Sequence, residues 1–176
     1  MGPNRQKDDF YPTPPEATIA LLNAESFGDG TIWECACGNG AMSSVLKDKG
    51  YQVYSSDLND YGFGLSNVDY LMTVKPDDNI QSVVTNPPYK LAKEFILRTL
   101  DYDIYKSAFL LRLSFLESMR RYDQLFRDNP PIRVHVFKKR LTIWRGDETR
   151  AGNGTVAYAW FVWEKGFSGN PEIFWV

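Results

Sequence analysis

The tetrapeptide Asn86-Pro87-Pro88-Tyr89 follows an apolar run, Gln81 to Thr85, and sets an amide, a rigid backbone and an aromatic ring side by side. A Pro-Pro step fixes two φ angles and removes two backbone donors, which leaves carbonyls free to accept. Such a set suits a planar ring carrying an NH2 group: Asn86 Oδ1 and the Pro87 carbonyl can each accept one N–H while Tyr89 stacks on the ring face. A second segment, Glu34-Cys35-Ala36-Cys37-Gly38-Asn39-Gly40, stands where a strand pattern gives way to a helical one. Glycines there let the backbone approach a ligand closely. Asp57 lies 17 residues beyond Gly40, near the spacing of ~20 residues at which a carboxylate takes ribose hydroxyls. Gly38-x-Gly40-x-x-Ser43 has a serine where the dinucleotide fingerprint has Gly or Ala. These residues therefore point to an adenosine-containing cofactor without saying which. A steric glycine turn with a strand-end acid, and a proline turn opening a helix, are the purely structural alternatives.

The elements that must position these residues alternate strand and helix. Thr13-Pro14-Pro15-Glu16 predicts a helix from about Pro14 to Ala24, with Thr13 as cap, proline in its first turn and an acid at the third position. Strands are predicted at Thr31 to Ala36, Tyr51 to Ser56, Asp69 to Thr73, Gln81 to Thr85 and Ser107 to Leu113. Helices are predicted from Ala41 to about Lys49, along the stripe Leu91, Phe95, Ile96 and Leu100, and from a capping box at Ser114 and Glu117 to Asp128. That last helix is expected to turn Phe115, Met119, Tyr122 and Phe126 inward. Two further strands, Ile132 to Trp144 and Thr155 to Trp163, flank a loop from Arg145 to Gly154. The alternation predicts an α/β fold: a Rossmann-like, doubly wound, mostly parallel sheet with an antiparallel C-terminal strand pair, formed by one domain over residues 1–176.

Composition agrees with one globular core: of 176 residues, 43% are apolar and 24% charged, which excludes disordered and collagen-like chains. No apolar run approaches the ~20 residues of a membrane span, and the polar start of the chain shows no secretory signal. A cytoplasmic location is therefore expected. Cys35 and Cys37 are the only cysteines. They are too close for a comfortable disulfide and supply half a zinc site, so a reduced, buried pair and no bound metal are expected. His135, the single histidine, is expected to be structural. The net charge of −2 hides an asymmetry: residues 1 to 90 hold 6 Lys and Arg against 12 Asp and Glu, whereas residues 91 to 176 hold 14 against 10. The basic excess lies between Leu110 and Arg145, where a polyanion can dock without the whole chain being basic.

With these segments in view, the chain resembles the class I methyltransferases that use S-adenosylmethionine, within them the amino-methyltransferases, and most closely the DNA N6-adenine methyltransferases of phage and prophage. The resemblance covers roughly residues 9 to 115. Asp9-Phe10-Tyr11-Pro12-Thr13-Pro14 is similar to the N-terminal motif that contacts the methionine end of the cofactor, which implies Phe10, Tyr11, Pro12 and Thr13 as cofactor contacts. Glu34 to Gly40 resembles the glycine motif, implying Glu34, Ala36, Cys37, Gly38 and Gly40, and Asp57-Leu58 resembles the ribose-binding acid and its apolar neighbour. Asp69 is implied as the partner of the cofactor's adenine amino group. Asn86, Pro87, Pro88 and Tyr89 are similar to the catalytic motif of methyl transfer to a planar, conjugated nitrogen.

The resemblance implies transfer of the methyl group of S-adenosylmethionine to the N6 amine of adenine in DNA. Lys90, Arg112, Arg120, Arg121, Lys138, Lys139, Arg140 and Arg145 are the implied nucleic-acid contacts. Only 16 residues separate Asp69 from Asn86, and fewer than 90 follow Tyr89. No separate target-recognition domain fits, so sequence preference would come from the basic segment or from a partner protein. RNA base methylation remains the alternative, because single strands are read by stacking and basic grooves. Protein glutamine methylation and a silent cofactor-binding module stand further off. A nicotinamide enzyme leaves Asn86 to Tyr89 without a role.

Overall fold

Strands covered by helices on both faces carry near-continuous apolar runs, and Ser107 to Leu111 and Tyr158 to Trp163 are buried residue after residue. The computed structural model describes residues 11–143 and 156–176. One seven-stranded sheet contains β1 (Thr31–Glu34), β2 (Val53–Ser55), β3 (Ile80–Thr85), β4 (Lys106–Arg112), β5 (Arg133–Val136), β6 (Tyr158–Glu164) and β7 (Glu172–Trp175), in the order β2-β1-β3-β4-β6-β5-β7. The pairs β1 with β2, β1 with β3, β3 with β4 and β5 with β7 are parallel; β6 runs antiparallel to both neighbours. Every strand except β6 thus points the same way, and the loops leaving their C-terminal ends gather along one edge.

Alternate side chains feed two cores. Ile32, Val84, Ala108, Leu110 and Trp160 join Leu21 of α1 (Pro15–Ala24) and Met42 and Leu46 of α2 (Ala41–Asp48) on one face. Trp33, Val83, Phe109, Leu111 and Phe161 join Phe95 and Ile96 of α3 (Ala92–Asp101) on the other. Buried indoles keep their hydrogen bonds: Trp160 Nε1 donates to the Ala17 carbonyl and Trp33 Nε1 to Ser56 Oγ, each at 2.8 Å.

Four expectations are corrected, the first being the strand expected from Ile132 to Trp144, which ends at Val136. Thr13 does not cap α1: Pro14 is the N-cap, no side chain caps it, and the Thr13 hydroxyl bonds to Asn86 instead. Residues 69–73 form a turn rather than a strand, because Asp69 accepts from the amide of Leu71 with its side chain and from those of Met72 and Thr73 with its carbonyl. The helix expected from Ser114 to Asp128 breaks into a 3-10 turn (Leu113–Leu116), one α turn (Met119–Arg121) capped by Ser118 Oγ, and a π turn (Tyr122–Phe126). The wider π turn rotates the face, so Leu125 is buried while Met119 and Tyr122 are exposed. β7, which was not anticipated, extends the sheet beyond β5. The reduced, buried cysteine pair is as expected.

At the opposite end of the sheet from the gathered loops, Glu25 joins Lys106, Arg133 and His135, with Glu164 completing the cluster. Burial opposes charge on Glu25, but hydrogen bonds from His135, Arg133 and Lys106 outweigh it and hold the carboxyl at about 2. The stability this adds is present above the ordinary carboxylate range and is lost as pH falls toward 2. Glu25→Gln leaves Lys106 and Arg133 sharing Glu164 alone. It is expected to cost about 3 kcal/mol, seen as a fall of roughly 6–12 °C in Tm by calorimetry; an unchanged Tm would show that the cluster does not stabilise the fold.

Candidate active site

Crevices outside the carboxyl ends of parallel strands are where open α/β sheets bind ligands. Here the loops after β1, β2 and β3, together with residues 11–13, enclose a cleft of about 590 Å³, within the roughly 300–1,000 Å³ of small-molecule sites. Tyr11, Pro12, Thr13, Glu34, Ala36, Cys37, Gly38, Asp57, Leu58, Asp69, Asn86, Pro87, Pro88, Tyr89 and Lys90 all line it. Phe10 and Arg145 lie outside the described residues.

The loop after β1 is tight. Gly38 and Gly40 have φ of 52° and 80°, a region that side-chain-bearing residues rarely occupy. Gly40 has a second reason to lack a side chain: a Cβ there would come within 2.6 Å of the Phe63 ring. Phe63 thus supports the loop from below, and nothing in the sequence pattern marked it. Asp57, 8% exposed, accepts from the Gly38 amide through Oδ2 at 2.8 Å and from the Asn59 amide through Oδ1 at 2.9 Å. A carboxylate oxygen has lone pairs for a second donor, so Asp57 is pinned by the loop and still able to take a pair of hydroxyls from the cleft.

Glu34 lies at the base of the same loop. Its carboxyl accepts from Ser43 Oγ, which also shares a 2.6 Å bond with Ser55 Oγ. Burial pushes the Glu34 carboxyl up to about 8. The folded state therefore keeps a proton that the unfolded chain releases near 4.5, and stability falls as pH rises from about 4.5 to 8. Glu34→Gln needs no proton. Its Tm relative to the wild type is expected to rise from pH 5 to pH 9 by on the order of 5 °C or more, measured by paired thermal melts; a constant difference would place an ionised Glu34 in the fold. Burial also pushes the Cys37 thiol up to about 12 and the Cys35 thiol well above its ordinary range. Both stay protonated at neutral pH, which removes them as nucleophiles.

At the end of β3, Asn86 Nδ2 donates to Thr13 Oγ1 at 3.1 Å and to the Tyr11 carbonyl at 3.4 Å. Asn86 Oδ1 is buried and finds no hydrogen-bond partner among the described residues, and the buried Tyr89 hydroxyl lies near the side chains of Asn86 and Tyr158. A buried, unsatisfied acceptor costs free energy, so Oδ1 asks for a donor from the cleft. The ring of Tyr89 sits 6.5 Å from Tyr11 and 5.9 Å from Tyr158, with the Arg112 guanidinium 4.9 Å from its centroid. Burial, with Tyr158 adding to it, raises the Tyr89 hydroxyl well above the ordinary tyrosine range, so it remains a neutral phenol.

The basic residues divide. Lys90 is exposed at the cleft rim and Arg112 ends β4 against Tyr89. Lys138, Lys139 and Arg140 are exposed just beyond β5, whose C-terminal end faces the same side. Arg120 is exposed away from the cleft lining. Arg121 directs its guanidinium onto the carbonyls of Ser114, Phe115 and Glu117 and over the Phe115 ring, which commits it to the fold. Asn59, Tyr61, Leu71 and Phe95 also line the cleft; the sequence reading missed them, and Asn59 and Tyr61 were within reach of it, since they follow Asp57 directly. No group of His, Cys, Asp and Glu able to hold a metal occurs among the described residues, nor any helix long and apolar enough to cross a membrane.

No protein-family model matches the chain, and no curated protein matches it in sequence. Solved structures do match. A structure described as the modification subunit of a type I restriction enzyme from Vibrio vulnificus is 11% identical, with a TM-score of 0.60; the match covers 97% of this chain but 48% of that one, so this chain spans about half its length. One described as an RNA methyltransferase from Pyrococcus horikoshii is 13% identical, with a TM-score of 0.64 over 88% of this chain and 87% of that one. A complex from E. cuniculi responsible for methylation of a translation termination factor contains a chain 19% identical, with a TM-score of 0.58 over 90% of this chain and 99% of that one. The sheet, its mostly parallel order and its antiparallel C-terminal pair are thus the Rossmann-like α/β fold found in methyltransferases.

Proposed function

We propose that this protein transfers a methyl group from S-adenosylmethionine to the exocyclic N6 amine of adenine in DNA. The observation that carries the reading is Asn86 Oδ1, a buried acceptor without a partner whose own Nδ2 is tied away, with Pro87, which brings a second acceptor in its carbonyl, next in the chain and lining the same cleft. Two acceptors side by side fit the two N–H bonds of an amine on a planar ring. The residues present also fit the cofactor: Asp57 for ribose hydroxyls, the backbone at Gly38 and Asn39 for close approach, Tyr11 and Pro12 for the methionine end, Leu58 and Asp69 for the adenine. Bound S-adenosylmethionine supplies an electrophilic methyl group.

Asn86 and Pro87 hold the amine so that its lone pair turns out of ring conjugation, and their oxygens stabilise the positive charge that grows on nitrogen. The nitrogen–carbon bond forms as the carbon–sulfur bond breaks, and the nitrogen then gives a proton to water. No general base is required. In a duplex the adenine must be flipped from the stack at a cost of a few kcal/mol, and Tyr89 recovers part of it through ring contact. Lys90, Arg112, Lys138, Lys139 and Arg140 supply positive charge on the side where the backbone would lie. An adenine in RNA offers the same amine, and a partner protein could add target recognition.

The test incubates the protein with methyl-tritiated S-adenosylmethionine and, separately, unmethylated duplex DNA, total RNA and a protein extract. Label in DNA is the expected result; label confined to RNA or protein would overturn the substrate. Replacing Lys138 and Lys139 together by alanine is expected to raise KM for DNA about tenfold at low salt and little at high salt, with cofactor affinity unchanged by titration calorimetry; an unchanged KM would remove this segment from the DNA surface.

A further inference from the structure

We infer that Thr13 is a positioning residue for catalysis: its hydroxyl, with the Tyr11 carbonyl, holds the Asn86 amide in the orientation that leaves Oδ1 as an unpartnered acceptor. The inference rests on the proposed role of Asn86 as acceptor of the amine. A terminal amide has two faces of similar shape, one accepting and one donating, and rotation by half a turn exchanges them. A flipped Asn86 would present N–H to an amine that itself brings N–H, and the acceptor would be gone.

The structure holds the amide at two points, and one of them decides which face it shows. The Tyr11 carbonyl, 3.4 Å from Nδ2, can only accept, so it demands the amide's donating side. Thr13 Oγ1, 3.1 Å from the same nitrogen, is a second anchor; a hydroxyl can donate or accept, so it steadies the amide in the orientation that the carbonyl selects. Thr13 is itself buried, 6% exposed, and its hydroxyl leaves the N-terminus of α1 without a side-chain cap. The local sequence offers a cap and the structure uses the hydroxyl elsewhere. Both contacts come from the segment that also lines the cleft, so this segment places the acceptor as well as bounding the site.

The test compares Thr13→Val, Thr13→Ala and Thr13→Ser. Both variants without the hydroxyl are expected to lower kcat roughly tenfold, with the dissociation constant of S-adenosylmethionine within about twofold of the wild type by calorimetry. Thr13→Ser, which restores the oxygen, is expected to bring kcat back to within about threefold. A wild-type kcat in Thr13→Val and Thr13→Ala would overturn the clamp while a dead Asn86→Ala leaves the acceptor role standing. A loss carried by weaker cofactor binding would make Thr13 a cofactor contact, and failure of Thr13→Ser to rescue would make its effect structural; each also overturns the inference. If Asn86→Ala is itself fully active, the reading of the site falls first.

Discussion

Asn86→Ala is expected to lower kcat by about 10²–10³-fold or more, the loss typical of removing one preorganised polar group that meets developing charge, while S-adenosylmethionine binds within about threefold of its wild-type affinity. The separation follows from the geometry. Asn86 lines the cleft and carries a buried oxygen that no described residue satisfies, whereas most of the elements that would hold the cofactor are carried by the loops after β1 and β2. Deleting the side chain also frees Thr13 and the Tyr11 carbonyl, so a modest change in Tm is expected and must be measured alongside. Single-turnover rates with saturating cofactor give the comparison directly. A variant that turns over at the wild-type rate would remove Asn86 from the chemistry and with it the reason for assigning an amine as acceptor.

Asp57→Ala is expected to act on the other half of the site, weakening S-adenosylmethionine binding by about 10²-fold. Hydrogen bonds to a charged group contribute about 1.5–3 kcal/mol each, and the carboxylate serves two purposes at once. It would accept from ribose hydroxyls, and it already accepts from the amides of Gly38 and Asn59. Asp57→Asn separates these purposes: its remaining oxygen can hold the Gly38 amide, so the loop stays and one charged acceptor is lost. An intermediate affinity is expected for Asp57→Asn by titration calorimetry. Equal binding by wild type and both variants would place the cofactor elsewhere.

Apart from the strand expected at residues 69–73, the order of elements through β4 was legible because each central strand is buried on both faces and ends in a segment with a distinct composition. Glu34 to Gly40 and Asn86 to Tyr89 announce strand ends by glycine and proline, and the structure puts residues 34–39 and 86–89 on the cleft while Gly40, expected as a cofactor contact, stands outside its lining. What escaped notice depended on contacts between distant residues. Thr13 reads locally as a helix cap, and only the arrival of Asn86 from 73 positions away diverts its hydroxyl. Residues 69–73 look apolar enough for a strand, yet the Asp69 carboxylate captures the Leu71 amide and closes a turn, with Tyr70 packed against Trp33 and Phe95. The 114–128 periodicity is helical on paper, but Arg121 folds back onto the carbonyls that a continuous helix would have used. β7 gave no pattern at all: its four residues are exposed, so no burial imposes alternation on them. Among site residues, the hidden member is Phe63, whose ring makes Gly40 obligatory. The charge pattern counted arginines without seeing that Arg133 is spent on Glu25 and Glu164, and Arg121 on backbone carbonyls.

The central claim is that the paired acceptors at Asn86 and Pro87 receive an exocyclic amine, and the identity of the methylated atom tests it most directly. DNA methylated by the purified protein, digested to nucleosides and resolved by mass spectrometry against standards, is expected to contain N6-methyldeoxyadenosine and to lose it with Asn86→Ala. A methyl group found instead on a ring carbon of cytosine, or on any oxygen, would contradict the account, because neither position presents the N–H bonds that this site is built to accept.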